Sequence, residues 1–321
     1  MIRRKLLLQI MGFTLVLLLQ LRCSAAQIQP AATPEPSATP VSYQKFTIIS
    51  TYEGLTAYVE AARAASNIGL NALFRQCVVA PYWEDCADGT ENMNREKDSI
   101  TPIKDMDYLT SAVAILRDSN VEQMVEEALQ KSAKVLSGPN TTVCIIVADP
   151  QSTFVRDYMN GVSGSTVRAG KIWLEIYPNG DWRDWIPYTL AHEYHHSVWM
   201  DRQGRQSKLS DMVDYLVSEG RADSFARLVY PNVAAPWTEA LTPEQEMTQW
   251  RAMQQSLDAR APATHRKFMF GGSDVPRWTG YTIGFHIVQS YLQKNPQVPV
   301  DEWTTMDAHE LLDESGYNAK R

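Results

Sequence analysis

Positive charge, cysteine and histidine are all scarce in this sequence, and each shortage removes a class of function. Lys and Arg number 30 against 37 Asp and Glu, a net charge of −7. Four of the basic groups, Arg3, Arg4, Lys5 and Arg22, fall in the first 26 residues, which hold no acidic residue. The rest of the chain is therefore more acidic still, which argues against nucleic acid or an anionic membrane surface as a partner. The cysteines, Cys23, Cys77, Cys86 and Cys144, lie too far from one another and from histidine for a thiolate zinc site. There is no internal repeat and no long block of charge. Apolar residues make up 44% and charged residues 21%, enough for a chain of this length to bury a sizeable core.

The N-terminal 1–26 segment reads as an export signal. Arg3, Arg4 and Lys5 precede an apolar run over 6–21, and Ser24-Ala25-Ala26 offers a small-residue cleavage site. The run is short and carries Gln9 and Gln20, so removal is expected rather than anchoring. Cys23 follows Arg22, a poor match to a lipoprotein signal. A membrane enters only through this segment, if it stays uncleaved. Residues 27–42, rich in Pro, Ala, Thr and Ser, read as an extended linker, and 43–321 as one domain. The expected location is secreted or extracytoplasmic.

What is there is concentrated in one stretch, DWIPYTLAHEYHHSVWM, over 184–200. Histidines His192 and His196 flank Glu193 in the pattern H-E-x-x-H. On a helix, positions i and i+4 share a face, so two imidazoles can meet one Zn²⁺ while the glutamate holds a water. Asp184 is read as the N-cap and Pro187 as a first-turn proline, with Ile186, Leu190, Tyr194 and Val198 forming the apolar stripe. His195 sits at i+3 from His192 and points off that face, towards a structural role.

Strand character is read at 45–51 and 141–149, and helices at 52–65, 107–117 and 121–136. Runs around 165–168 and 171–177 flank Ala169-Gly170 and predict a hairpin ahead of the metal stretch. That hairpin is either plain scaffold or a strand on which an extended peptide can pair. In an exported chain, Cys77 and Cys86 are expected to form a disulfide across a short loop, leaving Cys144 as a buried thiol.

A third ligand is needed. Trp199 and Arg202 stand where a glycine and a third histidine would continue the motif, so a carboxylate on a following helix is the alternative. Residues 210–229 read as that helix, with Glu219 and Asp223 one turn apart. Glu219 would ligate, and Asp223 would accept a hydrogen bond from a ligand histidine's far nitrogen. Both carboxylates can otherwise simply solvate the helix beside Arg221 and Arg227. Gly220 suggests close packing against the metal helix. Further on, Thr242 to Gln245 is a capping box, Gly271-Gly272 a turn, and 279–294 a helix; His265 and His309 read as surface residues.

HEYHH followed by Glu219-Gly220-Arg221-Ala222-Asp223 resembles the gluzincin type of zinc metallopeptidase. More closely, it resembles a family of predicted bacterial zinc-dependent proteases with an HEYxH helix and a late G-Y-x-I-G helix, here Gly280 to Gly284. The resemblance spans about 161–292. It implies an α+β, zincin-like fold: a twisted, mainly antiparallel sheet, an active-site helix and a mostly helical C-terminal half. It implies one catalytic Zn²⁺ on His192, His196 and Glu219, with Glu193 as general base and a peptide or protein as substrate. Tyr281 is the candidate for stabilising the oxyanion, with His286 and Arg277 as rivals and a structural hydroxyl as the plain alternative. Two other readings stay open. One is an inactive zinc-containing module that binds peptides; the other is a zinc amidase acting on a cell-wall polymer.

Overall fold

The computed structural model describes residues 44–64, 69–87, 97, 100–204 and 209–317. The export segment 1–26 and the linker 27–42 lie outside the described residues. The strands are β1 (Phe46–Ser50), β2 (Thr141–Val147), β3 (Val162–Arg168) and β4 (Lys171–Ile176). Between β1 and β2 run α1 (Glu53–Ala64), α2 (Leu70–Phe74), α3 (Trp83–Cys86), α4 (Met106–Arg117) and α5 (Val121–Val135). After β4 the chain is helical: α6 (Trp182–Gln203), α7 (Met212–Val229), α8 (Pro243–Met253), α9 (Pro262–Phe270), α10 (Thr279–Lys294), α11 (Val300–Thr305) and α12 (Ala308–Ser315).

The sheet order is β1-β2-β4-β3. β1 pairs with β2 and β2 with β4 in parallel, and only β3–β4 is antiparallel. The expected mainly antiparallel sheet is thus corrected to a small mixed one. The helices α1 to α5 carry the chain from the end of β1 back to its starting side, which makes β2 parallel to β1. Direction reverses over two residues only at Ala169-Gly170, where Gly170 has φ +73°. Val143, Ile145 and Val147 of β2 and Ile172, Leu174 and Ile176 of β4 alternate inward and are buried.

Helix α6 packs over β3 and β4 on one side and meets α5 and α7 on the other. Residues 188–198 are buried without a break, so its centre has no solvent face. It also starts earlier than the sequence suggests. Asp181, not Asp184, precedes the first turn, and Pro187 lies inside the helix. The extra turn is held by Trp182, fully buried, whose Nε1 donates to the carbonyl of Pro178 at 3.0 Å.

Gly220 does not face α6. A Cβ there would overlap the carbonyl of Gly284 on α10, and one on Gly284 would overlap the carbonyl of Leu216. Two helices therefore touch backbone to backbone at a pair of glycines, and α7 and α10 are locked in one register. The capping box of Thr242 and Gln245 opens α8, and Gly271, at φ +90°, ends α9. His265 is buried rather than superficial, its Nε2 2.8 Å from the carbonyl of Ala259. Among the described residues no helix is long and apolar enough to cross a membrane.

The cysteine pairing differs from expectation. Cys86 is bonded to Cys144, 58 positions away, and Cys77 is free. Sequence proximity loses to docking. The end of α3 is fastened to the sheet by Trp173, whose Nε1 donates to the carbonyl of Cys86 at 2.6 Å, and by Lys171, which reaches the carbonyl of Asp85. This sets Cys86 beside β2, with its Cα 5.8 Å from that of Cys144, while Cys77 sits in the preceding helical turn Arg75–Val79. Non-reducing peptide mapping should find Cys86 linked to Cys144 and Cys77 alkylated. Cys144→Ser should cost about 2–4 kcal/mol of stability, as loss of a long closed loop does. A Cys77–Cys86 peptide would contradict this pairing.

Candidate metal centre and cleft

The two motif histidines leave α6 on one face, as the i, i+4 spacing requires. His192 Nε2 and His196 Nε2 are 3.1 Å apart. From α7, Glu219 Oε2 comes within 3.2 Å of the first and 3.6 Å of the second. These three residues form a ligand-type cluster with all three atoms within 4.8 Å of one another. Tetrahedral zinc, about 2.0–2.2 Å from nitrogen and oxygen ligands, sets donor-to-donor edges of roughly 3.3 Å. The observed triangle fits that ion.

The electrostatics also favour a cation. Burial works against protonation of His192, yet Asp223 and Glu219 outweigh it and raise its pKa well above the ordinary value. Burial likewise pushes Glu219 up, but His196 and His192 hold its carboxyl far below the usual carboxylate range. The carboxylates thus favour positive charge beside them, and the histidines favour an ionised Glu219.

Asp223, fully buried one turn beyond Glu219, organises the far side of His192. Its Oδ1 accepts from His192 Nδ1 at 3.1 Å, from the Tyr188 hydroxyl at 3.1 Å and from Trp237 Nε1 at 2.9 Å. The proton on His192 is thereby drawn to Nδ1, leaving the Nε2 lone pair for a metal. His196 is braced more loosely, with Nδ1 3.4 Å from Ser218 Oγ. Nothing in the sequence marks Trp237 or Tyr188 as a partner of Asp223. Trp237 lies in the short helical turn Pro236–Glu239, far from any motif, and only folding brings it to Asp223.

Glu193 faces β3. Thr166 Oγ1 is 2.7 Å from its Oε2 and 2.8 Å from its backbone carbonyl. Gly164, on the same face of β3, has no side chain where the stem of Glu193 passes. From α10, Tyr281 lines the same cleft. Burial, reinforced by Glu219, Asp223 and Glu193, raises its pKa far above the phenol value, so it stays a neutral donor.

The rivals lie elsewhere. His286 Nδ1 is 2.9 Å from buried Glu246 of α8, and Arg277 stacks 3.5 Å over the Tyr158 ring. His195 turns away from the cluster, stacked on Trp303 with Nε2 3.2 Å from Thr304 Oγ1. Burial, with His196 and Arg221 nearby, holds it neutral by pushing its pKa well down. A second cluster of Asp211, Asp214 and His309 is satisfied internally: Asp211 caps α7, His309 Nε2 meets Asp211 at 3.1 Å, and Asp214 accepts from Ser210.

The cavity in front of the three ligand-type groups holds about 360 Å³. The edge strand β3 supplies one side through 163–166. Phe154, Met159, Trp199, Met200, Leu209 and Phe270 give it an apolar lining. Apart from Glu193, Glu219 and the two histidines, no charged side chain lines it among the described residues.

A family model described as "Predicted Zn-dependent protease" matches residues 121–313. Two proteins of Bacillus subtilis (strain 168), both named as uncharacterized, are similar to the chain. YjfC is 25% identical over 232 residues, covering 67% of this chain and 76% of that protein. YjaZ is 24% identical over 195 residues, covering 56% and 69% respectively. No solved structure matches.

Mass spectrometry of the native protein should find about one zinc per chain, lost in His192→Ala, His196→Ala and Glu219→Ala. Asp223→Ala should keep the fold but weaken zinc binding about 10–100-fold, since it removes the group that orients His192. Full zinc occupancy in Glu219→Ala would rule out this triangle as the metal site.

Proposed function

The chain belongs to the family of predicted Zn-dependent proteases, and on that premise we propose that it is an exported zinc peptidase of zincin-like design. One observation carries the reading: two imidazole nitrogens and a carboxylate oxygen converge at 3.1–3.6 Å, with Glu193 beside them and not among them. His192, His196 and Glu219 would hold the ion. Zinc held there would supply Lewis acidity, lowering the pKa of a coordinated water and polarising a carbonyl.

The chain's own groups do the rest. Glu193 takes a proton from the attacking water and returns it to the leaving amine nitrogen. Tyr281, a neutral phenol, donates to the oxygen on which negative charge develops. Asp223 keeps His192 in one tautomer throughout. An extended substrate lies along the free edge of β3 and hydrogen-bonds to its main chain. Apart from Glu193 and the ligand-type groups, the cleft is lined by apolar and neutral polar side chains, which favour apolar side chains of the substrate over charged ones. Export is supported by the N-terminal signal pattern and by the Cys86–Cys144 disulfide, which persists in an oxidising compartment.

The decisive experiment is hydrolysis of a denatured-protein mixture by zinc-loaded wild type and Glu193→Gln. Glu193→Gln should retain zinc and lose at least about a hundredfold in rate, the usual worth of general acid–base help. Tyr281→Phe should lose less, because a zinc ion held by His192, His196 and Glu219 would supply part of the stabilisation of the oxyanion. Unchanged turnover in zinc-loaded Glu193→Gln would refute the mechanism. A wild type that binds unfolded protein without cutting it would point to a peptide-binding module, and activity confined to wall fragments to an amidase.

A further inference from the structure

Glu193 has two carboxylate oxygens, and its role as a base requires that one of them be presented to the water. The strand β3 holds this side chain from two positions. At Gly164 a Cβ would overlap Glu193 Cγ and approach Cδ and Oε1 to 2.8 Å. Two residues on, Thr166 places its hydroxyl 2.7 Å from Oε2 and 2.8 Å from the Glu193 carbonyl. Residues i and i+2 of a strand share a face, so the notch and the hydroxyl address one side chain together. Thr166 has a single hydroxyl proton for two acceptors, and an ionised carboxylate is the stronger of them. The proton therefore goes to Oε2.

We propose that Thr166 is a positioning residue that, with the Gly164 notch, fixes the Glu193 carboxylate and assigns Oε1 as the oxygen that takes the water's proton. The inference rests on the peptidase reading. Thr166 remains a neutral donor and releases no proton. The water's proton moves to Oε1 as its oxygen bonds to the carbonyl carbon, and then passes to the amine nitrogen as the carbon–nitrogen bond breaks. β3 is also the edge strand bounding the cleft. The clamp thus ties the base to the strand along which the substrate lies, so the register of the bound chain and the position of Oε1 are set by the same backbone.

The test compares Thr166→Val and Thr166→Ser in the full chain. Valine keeps the branched shape that suits a strand and removes the donor; serine keeps the donor. Thr166→Val should retain zinc and lower kcat about 10–100-fold, the scale on which a misplaced catalytic group costs rate. KM should stay within about twofold, and Thr166→Ser should recover most of the loss. Full kcat in Thr166→Val would overturn the proposal, as would loss of zinc in that variant or a serine variant no better than valine.

A crystal structure of Thr166→Val gives a reading that does not depend on turnover. The Glu193 carboxylate should leave its wild-type position or occupy mixed rotamers, and an unmoved carboxylate would overturn the clamp. If the wild type hydrolyses no peptide, the peptidase reading falls, and the rotamer in this structure still decides whether Thr166 holds Glu193.

Discussion

Holding one carboxylate against two imidazoles inside a protein is unfavourable unless something positive joins them. Glu219 Oε2 lies 3.2 and 3.6 Å from two ring nitrogens that are themselves 3.1 Å apart, and both histidines are buried. With both rings neutral, as metal ligands must be, two Nε2 lone pairs and an anionic oxygen repel one another in a medium where charge is poorly screened. A cation turns each repulsion into attraction. The surrounding groups are arranged for that outcome: Asp223 accepts a hydrogen bond from His192 Nδ1 at 3.1 Å, which leaves Nε2 to face the cluster.

The scaffold that brings these groups together is made of close contacts rather than bulk. Helix α6 is buried all round at its centre, so its histidines are fixed on every side by β3, β4, α5 and α7. Gly220 is the residue after Glu219, and Gly284 lies three after Tyr281. The backbone contact between those glycines sets the height at which a carboxylate from α7 and a phenol from α10 meet. On the opposite side, Gly164 lets α6 approach β3 closely enough for Thr166 to reach Glu193. Each of these positions is intolerant of a Cβ for a stated steric reason, and each sits next to a group in the cleft.

Much of this was legible in the sequence because it is local. The i, i+4 spacing of His192 and His196, the Glu219–Asp223 pair one turn apart and the Thr242 capping box depend only on helix geometry. Long-range consequences were not. The parallel pairing of β1 with β2 depends on where the helices between them return the chain. Cys86 finds Cys144 because α3 docks on β2 and β4, and sequence distance carries no sign of it. Gly220 announces a close approach but not its partner, which is α10 rather than α6. Trp237 and Thr166 carry no motif, and their importance comes from one hydrogen bond each to Asp223 and Glu193. Helix α6 starts at Trp182 and not after Asp184, because burial of that tryptophan outweighs the capping preference of Asp184.

The central claim is that one zinc ion sits where His192, His196 and Glu219 converge. Diffraction from crystals of the natively purified protein, collected above and below the zinc absorption edge, tests it directly. A single anomalous peak should appear about 2.0–2.2 Å from His192 Nε2, His196 Nε2 and Glu219 Oε2, with Asp223 outside bonding distance. A peak at Asp211, Asp214 and His309 instead, or none at the α6–α7 junction in zinc-replete protein, would contradict the account.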